Sequence, residues 1–227
     1  MSGPHPKLDG PRITTASGGS PKQLVVLLHG YGADGNDLIS LGQHWRQLLP
    51  DAAFVSPNAP QPCAGNPFGG RQWFELTFRD PGERWRGVQW AAPALHAFLD
   101  EELASLGLTD HALALVGFSQ GTMMALHVGL RRARPLAGIV GFSGLLAGPE
   151  HLAAGLVSRP PILLIHGDSD DVIPVEALSE ARSVLGAAGL AVEWHISAGL
   201  PHGIDSDGLD LAGRFLTAAF KRGSGGQ

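Results

Sequence analysis

Residues Leu113 to Leu126 read LALVGFSQGTMMAL. The first four are apolar and suit a strand covered on both faces, and Thr122 to Leu126 suit a helix. Between them lies Gly117-Phe118-Ser119-Gln120-Gly121, a match to G-x-S-x-G. In a chain with 32 glycines that pentapeptide alone is weak evidence. Its placement between strand and helix is what raises it. In that setting a serine is forced into a tight turn above the sheet edge, and the flanking glycines leave out Cβ atoms that the turn cannot hold. A serine that merely caps the following helix is the simpler alternative. Ser119 is thus the candidate nucleophile.

The same rhythm extends in both directions. Leu24 to Leu28, Ala52 to Val55, Gly138 to Gly141 and Ile162 to Ile165 are further short apolar runs, and Ala191 to Ile196 alternates more. Between them, Asp37 to Leu49, Val88 to Leu106, Gln120 to Arg132, Val175 to Ala188 and Asp207 to Phe220 have helical spacing. Strands alternating with helices predict an α/β protein with a mostly parallel, doubly wound sheet and helices on both faces. The 227 residues, 44% of them hydrophobic, fit one domain over residues 21–221. Met1 to Ser20 reads as a flexible polar lead-in, and residues 222–227 as a tail. Asn58 to Trp85 breaks the rhythm with Pro60, Pro62, Pro67 and Pro81, yet its Trp73, Phe74, Phe78 and Trp85 argue against disorder.

Bulk properties exclude several classes. A net charge of -5 argues against nucleic acid as a partner. Arg131-Arg132-Ala133-Arg134 falls where a helix should end, and cations there suit the helix dipole. Cys63 is the only cysteine, so no intrachain disulfide can form. No apolar run approaches the roughly 18 residues that cross a bilayer, and no signal-peptide pattern opens the chain. A cytoplasmic protein follows by default. The sequence does not address its oligomeric state.

A serine hydroxyl needs a base to take its proton. His202, in Leu200-Pro201-His202-Gly203-Ile204, follows a strand-like run and precedes a helix. His166-Gly167-Asp168-Ser169-Asp170-Asp171-Val172-Ile173-Pro174 follows the Ile162 to Ile165 strand and offers three acids. Loops at the carboxyl ends of such strands line the functional crevice, so His202 can reach Ser119 although 83 positions separate them. His195 competes but sits inside an alternating strand. Val140-Gly141-Phe142-Ser143 repeats the approach to Ser119, but Leu145 stands where the second glycine should be, so Ser143 reads as a strand-end residue near the site.

His29-Gly30-Tyr31-Gly32-Ala33-Asp34-Gly35 follows the Leu24 to Leu28 strand. The N–H groups of Tyr31 and Gln120 occupy the two places from which an oxyanion is usually held. Gly30-x-Gly32-x-x-Gly35 also matches a dinucleotide fingerprint. That reading needs an acid at the end of the next strand, where Ser56-Pro57-Asn58 stands, and Asp34 and Asp37 would repel a pyrophosphate. The histidines and aspartates lack metal-ligand spacing.

Taken in order, LLHGYGADGNDL (Leu27 to Leu38), GFSQG, HGDSDDVIP and PHGI resemble the carboxylesterase/phospholipase family of α/β-hydrolases, which includes acyl-protein thioesterases. The likeness spans about Lys22 to Phe220. It implies an α/β-hydrolase fold and hydrolysis of esters, thioesters or lysophospholipids with small to medium apolar acyl chains, with no metal or organic cofactor. The family pattern H-G-x-x-D-x-x-x-P selects Asp170 among the three acids and leaves Asp168 and Asp171 to turn or solvent. Tyr31 replaces a more familiar leucine, in a place where the backbone does the work. Arg71-Gln72-Trp73-Phe74 resembles the family's Trp-Phe loop, which makes Phe68, Trp73, Phe74, Leu76, Met123 and Leu145 candidates for the acyl pocket. A non-catalytic ligand-binding domain on the same scaffold is the main competing reading.

Overall fold

The structure is a computed structural model that describes residues 6–63, 69–77, 80 and 82–224. Seven strands form the main sheet in the order β1-β3-β2-β6-β7-β8-β9. They are β1 (Arg12–Ile13), β2 (Gln23–Leu28), β3 (Ala52–Val55), β6 (Leu113–Phe118), β7 (Gly138–Phe142), β8 (Ile162–Gly167) and β9 (Val192–Ser197). Only β1 runs antiparallel, against β3. A two-stranded ribbon pairs β4 (Gln61–Pro62) with β5 (Arg71–Gln72). The helices are α1 (Gly35–Trp45), α2 (Glu83–Leu106), α3 (Gln120–Gly129), the short α4 (Leu152–Gly155), α5 (Glu176–Ala187) and α6 (Ser206–Ser224).

Both faces of the sheet are covered, which is why its central strands are apolar throughout. Leu24, Val26 and Leu28 of β2 face one core with Leu95 and Leu99 of α2, Met124 of α3 and Leu185 of α5. Val25 and Leu27, one residue out of phase, face a second core with Leu38 and Trp45 of α1 and Leu216 of α6. The chain leaves β2 for β3 on one side, then returns past β2 to build β6 to β9 on the other. That reversal puts the topological switch point between β2 and β6, the place at which open α/β sheets generally bind their ligands. Edge strand β9 is the least covered: Trp194 is half exposed, and Arg182 stacks its guanidinium 4.7 Å from the ring centroid.

Three expected boundaries need correction. Residues 1–5 of the expected lead-in lie outside the described residues, and the rest is pinned from Leu8 onward, because Leu8, Ile13 and Thr15 are buried and main-chain bonds join Ser56 N–H to Pro11 O, Asn58 N–H to Asp9 O, and Ser17 N–H to Pro50 O. Two isolated apolar residues among Thr, Ser, Gly and Pro have no period to read. At the other end α6 runs on through Arg222 to Ser224, and residues 225–227 lie outside the described residues. Helix α3 stops at Gly129, ahead of the arginine run. Arg131 Nη1 still donates to the last-turn carbonyl of His127 at 2.9 Å, whereas Arg132 is buried between Asp100 and Asp110, each at 2.7 Å.

His127 packs edge-on to Trp85 with 5.3 Å between ring centroids, and its Nδ1 has no hydrogen-bond partner. Burial, followed by the nearby positive charges of Arg131 and His96, pushes its pKa down to about 3. The unfolded chain therefore binds this proton at higher pH than the folded one does, so stability contributed by neutral His127 is complete above about pH 6.5 and declines as pH falls toward 3. Urea melts between pH 7 and pH 4 should show that decline, and His127→Gln should reduce its slope. An unchanged slope would contradict the assignment.

Candidate active site

Ser119 stands alone between the end of β6 and the start of α3 with φ 54 and ψ −115. A non-glycine residue held at positive φ carries strain of about 1–3 kcal/mol, which persists only where the surroundings dictate it. Here they do. A Cβ on Gly121 would stand 1.8 Å from Leu28 O, and one on Gly117 would stand 2.4 Å from Gly121 main-chain atoms. Ser119 N–H donates to Phe142 O at 2.9 Å, and Thr122 Oγ1 bridges Gly117 O and Phe142 O at 2.9 Å each. Helix α3 is thereby pressed onto the ends of β2, β6 and β7, and the serine is what is squeezed upward. Its hydroxyl has no hydrogen-bond partner among the described residues, and the residue as a whole is 8% exposed.

Asp170 follows β8, and His202 lies between β9 and α6. Their side chains meet, with His202 Nδ1 2.7 Å from Asp170 Oδ2. The other carboxylate oxygen accepts the N–H groups of Val172 at 2.9 Å and Ile173 at 2.8 Å. Burial raises the Asp170 pKa, but the bonds from Ile173, His202 and Val172 outweigh it and hold the group below the usual carboxylate value. Asp170 is therefore ionised and His202 carries its proton on Nδ1, which leaves Nε2 for chemistry. The imidazole lies against Phe118, the residue before Ser119, with ring centroids 4.9 Å apart. No hydrogen bond joins Ser119 Oγ to His202 Nε2, and the ring of Phe118 is what links the imidazole to the serine's segment.

The Gly30–Gly35 loop closes the opposite side. A Cβ on Gly30 would meet Phe118 Cδ1 at 3.1 Å and Ser119 Cβ at 3.4 Å, so this loop leans directly on the serine. The N–H groups of Tyr31 and Gln120 make no hydrogen bond with any described residue. Tyr31 turns its phenol toward Cys63, whose contact, with burial and the charge of Glu75, raises the phenol pKa to about 12. The dinucleotide reading of this loop fails on structure as well. Asp34 caps α1, its Oδ1 accepting Asn36 N–H at 2.7 Å, and Gly35 N–H is taken by Asn58 Oδ1 at 2.9 Å, so the donors at the start of α1, where a pyrophosphate would sit, are already taken.

Of the acyl-pocket candidates, Trp73, Phe74 and Met123 are buried in the same apolar cluster against which Leu76 and Leu145 pack, and Phe68 lies outside the described residues. Phe74 also edges an open groove of about 470 Å³ with Gln61, Glu75, Thr77 and Trp90. Trp73 requires a correction. It is 0% exposed, and both of its N–H groups bond to protein, so it has no surface to offer a substrate.

Other contributors have no sequence motif of their own. His166 Nε2 donates to Ile173 O at 2.8 Å and lies 3.2 Å from Asp170 Oδ2, so it fixes the segment whose main-chain N–H groups bond the acid. Ser143, also at positive φ, donates from Oγ to Gly203 O at 3.1 Å and so holds the chain just after His202. Asp168 accepts Gly199 N–H at 2.7 Å, tying the acid loop to the turn ahead of His202. His166 and Asp168 were visible in HGDSDD, but only coordinates reveal their partners.

A strained serine at a strand–helix elbow, above the switch point of a mostly parallel sheet and beside a paired aspartate and histidine, defines an α/β-hydrolase. Comparison with known proteins agrees. The phospholipase/carboxylesterase family model matches residues 10–220, so the chain belongs to that family and is a hydrolase. Esterase YpfH of Escherichia coli is 31% identical over 191 residues, covering 84% of this chain and 80% of its own. An acyl-protein thioesterase 1 of Gibberella zeae is 27% identical over 208 residues, covering 85% and 88%. The crystal structure of esterase PE8 superposes with a TM-score of 0.90 at 51% identity, covering 94% of this chain and 99% of that one.

Gly121→Ala tests the packing that shapes the site. With a carbonyl oxygen 1.8 Å from the new methyl, the elbow has to shift, and the loss of stability should be at least about 3 kcal/mol. Gly186→Ala, in open space on α5, should instead leave stability unchanged or raise it. Equal denaturation midpoints for the two variants would sink the argument.

Proposed function

We propose that this protein hydrolyses carboxylic esters or thioesters by a two-step acyl transfer through Ser119. The observation that carries the proposal is the 2.7 Å bond between His202 Nδ1 and Asp170, on two loops that meet beside the strained serine. With Nδ1 protonated, Nε2 is the free base and takes the Ser119 proton as Oγ attacks the acyl carbon. The carbonyl oxygen becomes an oxyanion facing the unused N–H groups of Tyr31 and Gln120. Collapse breaks the bond to the leaving oxygen or sulfur, which departs with the proton from His202. Water then repeats the sequence and releases the acid. Asp170 stays ionised throughout, fixing the imidazole and stabilising its charged form.

For the substrate, the apolar surroundings of Phe74, Leu76 and Leu145 favour a small to medium acyl chain. The relatives named esterase and acyl-protein thioesterase support both leaving-group classes. No described helix is long and apolar enough to cross a membrane, so the substrate is met from solution or at a surface.

A burst of p-nitrophenol equal to the enzyme concentration is expected with p-nitrophenyl esters, along with covalent labelling by a fluorophosphonate. Ser119→Ala should abolish both, with turnover reduced by roughly 10⁶-fold, and Asp170→Asn should cost about 10⁴-fold. A Ser119→Ala variant that retains wild-type turnover would exclude the mechanism, and absence of labelling in the wild type would favour a ligand-binding role. Esters from acetate to dodecanoate, run beside palmitoyl-CoA and a lysophospholipid, would rank the substrates.

A further inference from the structure

Residues 70–74 touch both of the loops that flank the nucleophile. Gly70, at φ +99, presses so closely on Gly32 that a Cβ would stand 2.1 Å from its carbonyl oxygen. Arg71 exchanges two main-chain bonds with the same turn, donating to Ala33 O at 2.7 Å and accepting from Gly32 N–H at 2.9 Å. Trp73 then donates twice. Its indole Nε1 bonds to His29 O at 3.0 Å, and its main-chain N–H bonds to Gln120 Oε1 at 2.8 Å. Gln120 completes the bridge by donating from Nε2 to Phe74 O at 2.8 Å. These last three bonds are all buried, where leaving a partner unmade is costly.

The loops joined in this way are those that carry the free N–H groups of Tyr31 and Gln120. Further bonds fix the Tyr31 side. His29 Nε2 accepts Ala59 N–H at 3.0 Å, so the ring proton sits on Nδ1 and is donated to Gly30 O at 2.7 Å. In a trans peptide the C=O and N–H point in opposite directions, so anchoring the Gly30 carbonyl also aims the Tyr31 N–H. Arg71 secures the far end of this arrangement by donating to Ala59 O at 2.7 Å and Pro60 O at 2.8 Å.

We propose that Trp73, through its indole and its bond to the Gln120 amide, is a positioning residue that sets the two oxyanion donors in register across the nucleophile. This rests on reading Ser119 as the nucleophile and Tyr31 and Gln120 as the donors. Donors aimed at the place where charge develops act on the transition state and not on the bound ester. Loosening the brace therefore lowers kcat and leaves KM alone. A residue of the acyl pocket wall would behave in the opposite way, raising KM and doing so more for longer acyl chains.

Trp73→Phe keeps most of the ring packing and removes the indole N–H, and Gln120→Met keeps the side-chain length and removes both amide bonds. Each should lower kcat by about 10- to 100-fold, with KM within about twofold of wild type and the same factor for p-nitrophenyl acetate and decanoate. Affinity for an alkyl boronic acid, which forms a tetrahedral adduct on the serine, should fall in parallel. An unchanged kcat in both variants, a loss confined to KM, or a loss that grows with chain length overturns the proposal. If Trp73→Phe fails to fold, Gln120→Met decides alone. Failure of the wild type to turn over esters or to be labelled at Ser119 would instead refute the acyl-transfer reading beneath it.

Discussion

The closest approach in the site is between Gly121 and the carbonyl of Leu28, where not even a methyl group fits. It brings the first turn of α3 down onto the end of β2, and several features follow. Because the helix starts so low, the chain leaving β6 has one residue in which to turn, and Ser119 takes the strained backbone that results. Since β2 ends at the same level, the loop that follows it begins beside the serine, with Gly30 against Ser119 Cβ. The contact also sits where the chain reverses its order across the sheet, at the topological switch point. One steric constraint thus sets the strained backbone of Ser119 and the place of the Gly30 loop beside it.

The acid–base half of the site obeys a different requirement. A carboxylate with its side chain fully buried is costly unless its lone pairs are satisfied. Asp170 meets that requirement with two main-chain donors on one oxygen and the imidazole of His202 on the other. Satisfying the charge also fixes its direction, and hence the direction of His202. The surrounding turns reinforce this: Gly167 is packed against Leu200 O, and Ser169 N–H donates to that same carbonyl, so the acid loop and the histidine loop rest on each other. Rigidity here comes from hydrogen bonds between loops, whereas at the elbow it comes from close packing.

Features governed by local chain chemistry were legible in the sequence. The central strands announced themselves because both faces of the sheet are covered, and the elbow because two glycines flank a serine between strand and helix. The loops that carry Asp170 and His202 were legible because each follows a strand. Strand β1 was not, because it is two residues long, is held by pairing with distant Phe54 and Val55, and buries only the side chain of Ile13. Trp73 was misread for a related reason. The likeness of Arg71-Gln72-Trp73-Phe74 to the family's Trp-Phe loop suggests a pocket wall, and nothing local tells that the two N–H groups of Trp73 are taken by His29 and Gln120, 44 and 47 positions away. The side-chain partners of His166, Ser143 and Gln120 were hidden in the same way, since hydrogen bonds between remote loops have no periodicity.

The repeated VGFS segment shows how far local sequence can go. Ser143 follows β7 as Ser119 follows β6, both have positive φ, and each donates its N–H to the neighbouring strand, Ser119 to Phe142 O and Ser143 to Ile165 O. The same four residues thus make the same turn at the ends of adjacent strands. What differs is the sequel. After Ser119 a helix starts at once, which lifts the hydroxyl clear of partners, while after Ser143 the chain continues through Gly144 as irregular structure, and its hydroxyl is spent on Gly203 O beside His202. A Cβ on Gly144 would stand 2.3 Å from Thr122 Cβ, so even this second turn is packed against the first turn of α3. Of two serines alike in their local chain, the helix leaves one hydroxyl without a partner among the described residues, and the other is bonded to the chain beside His202.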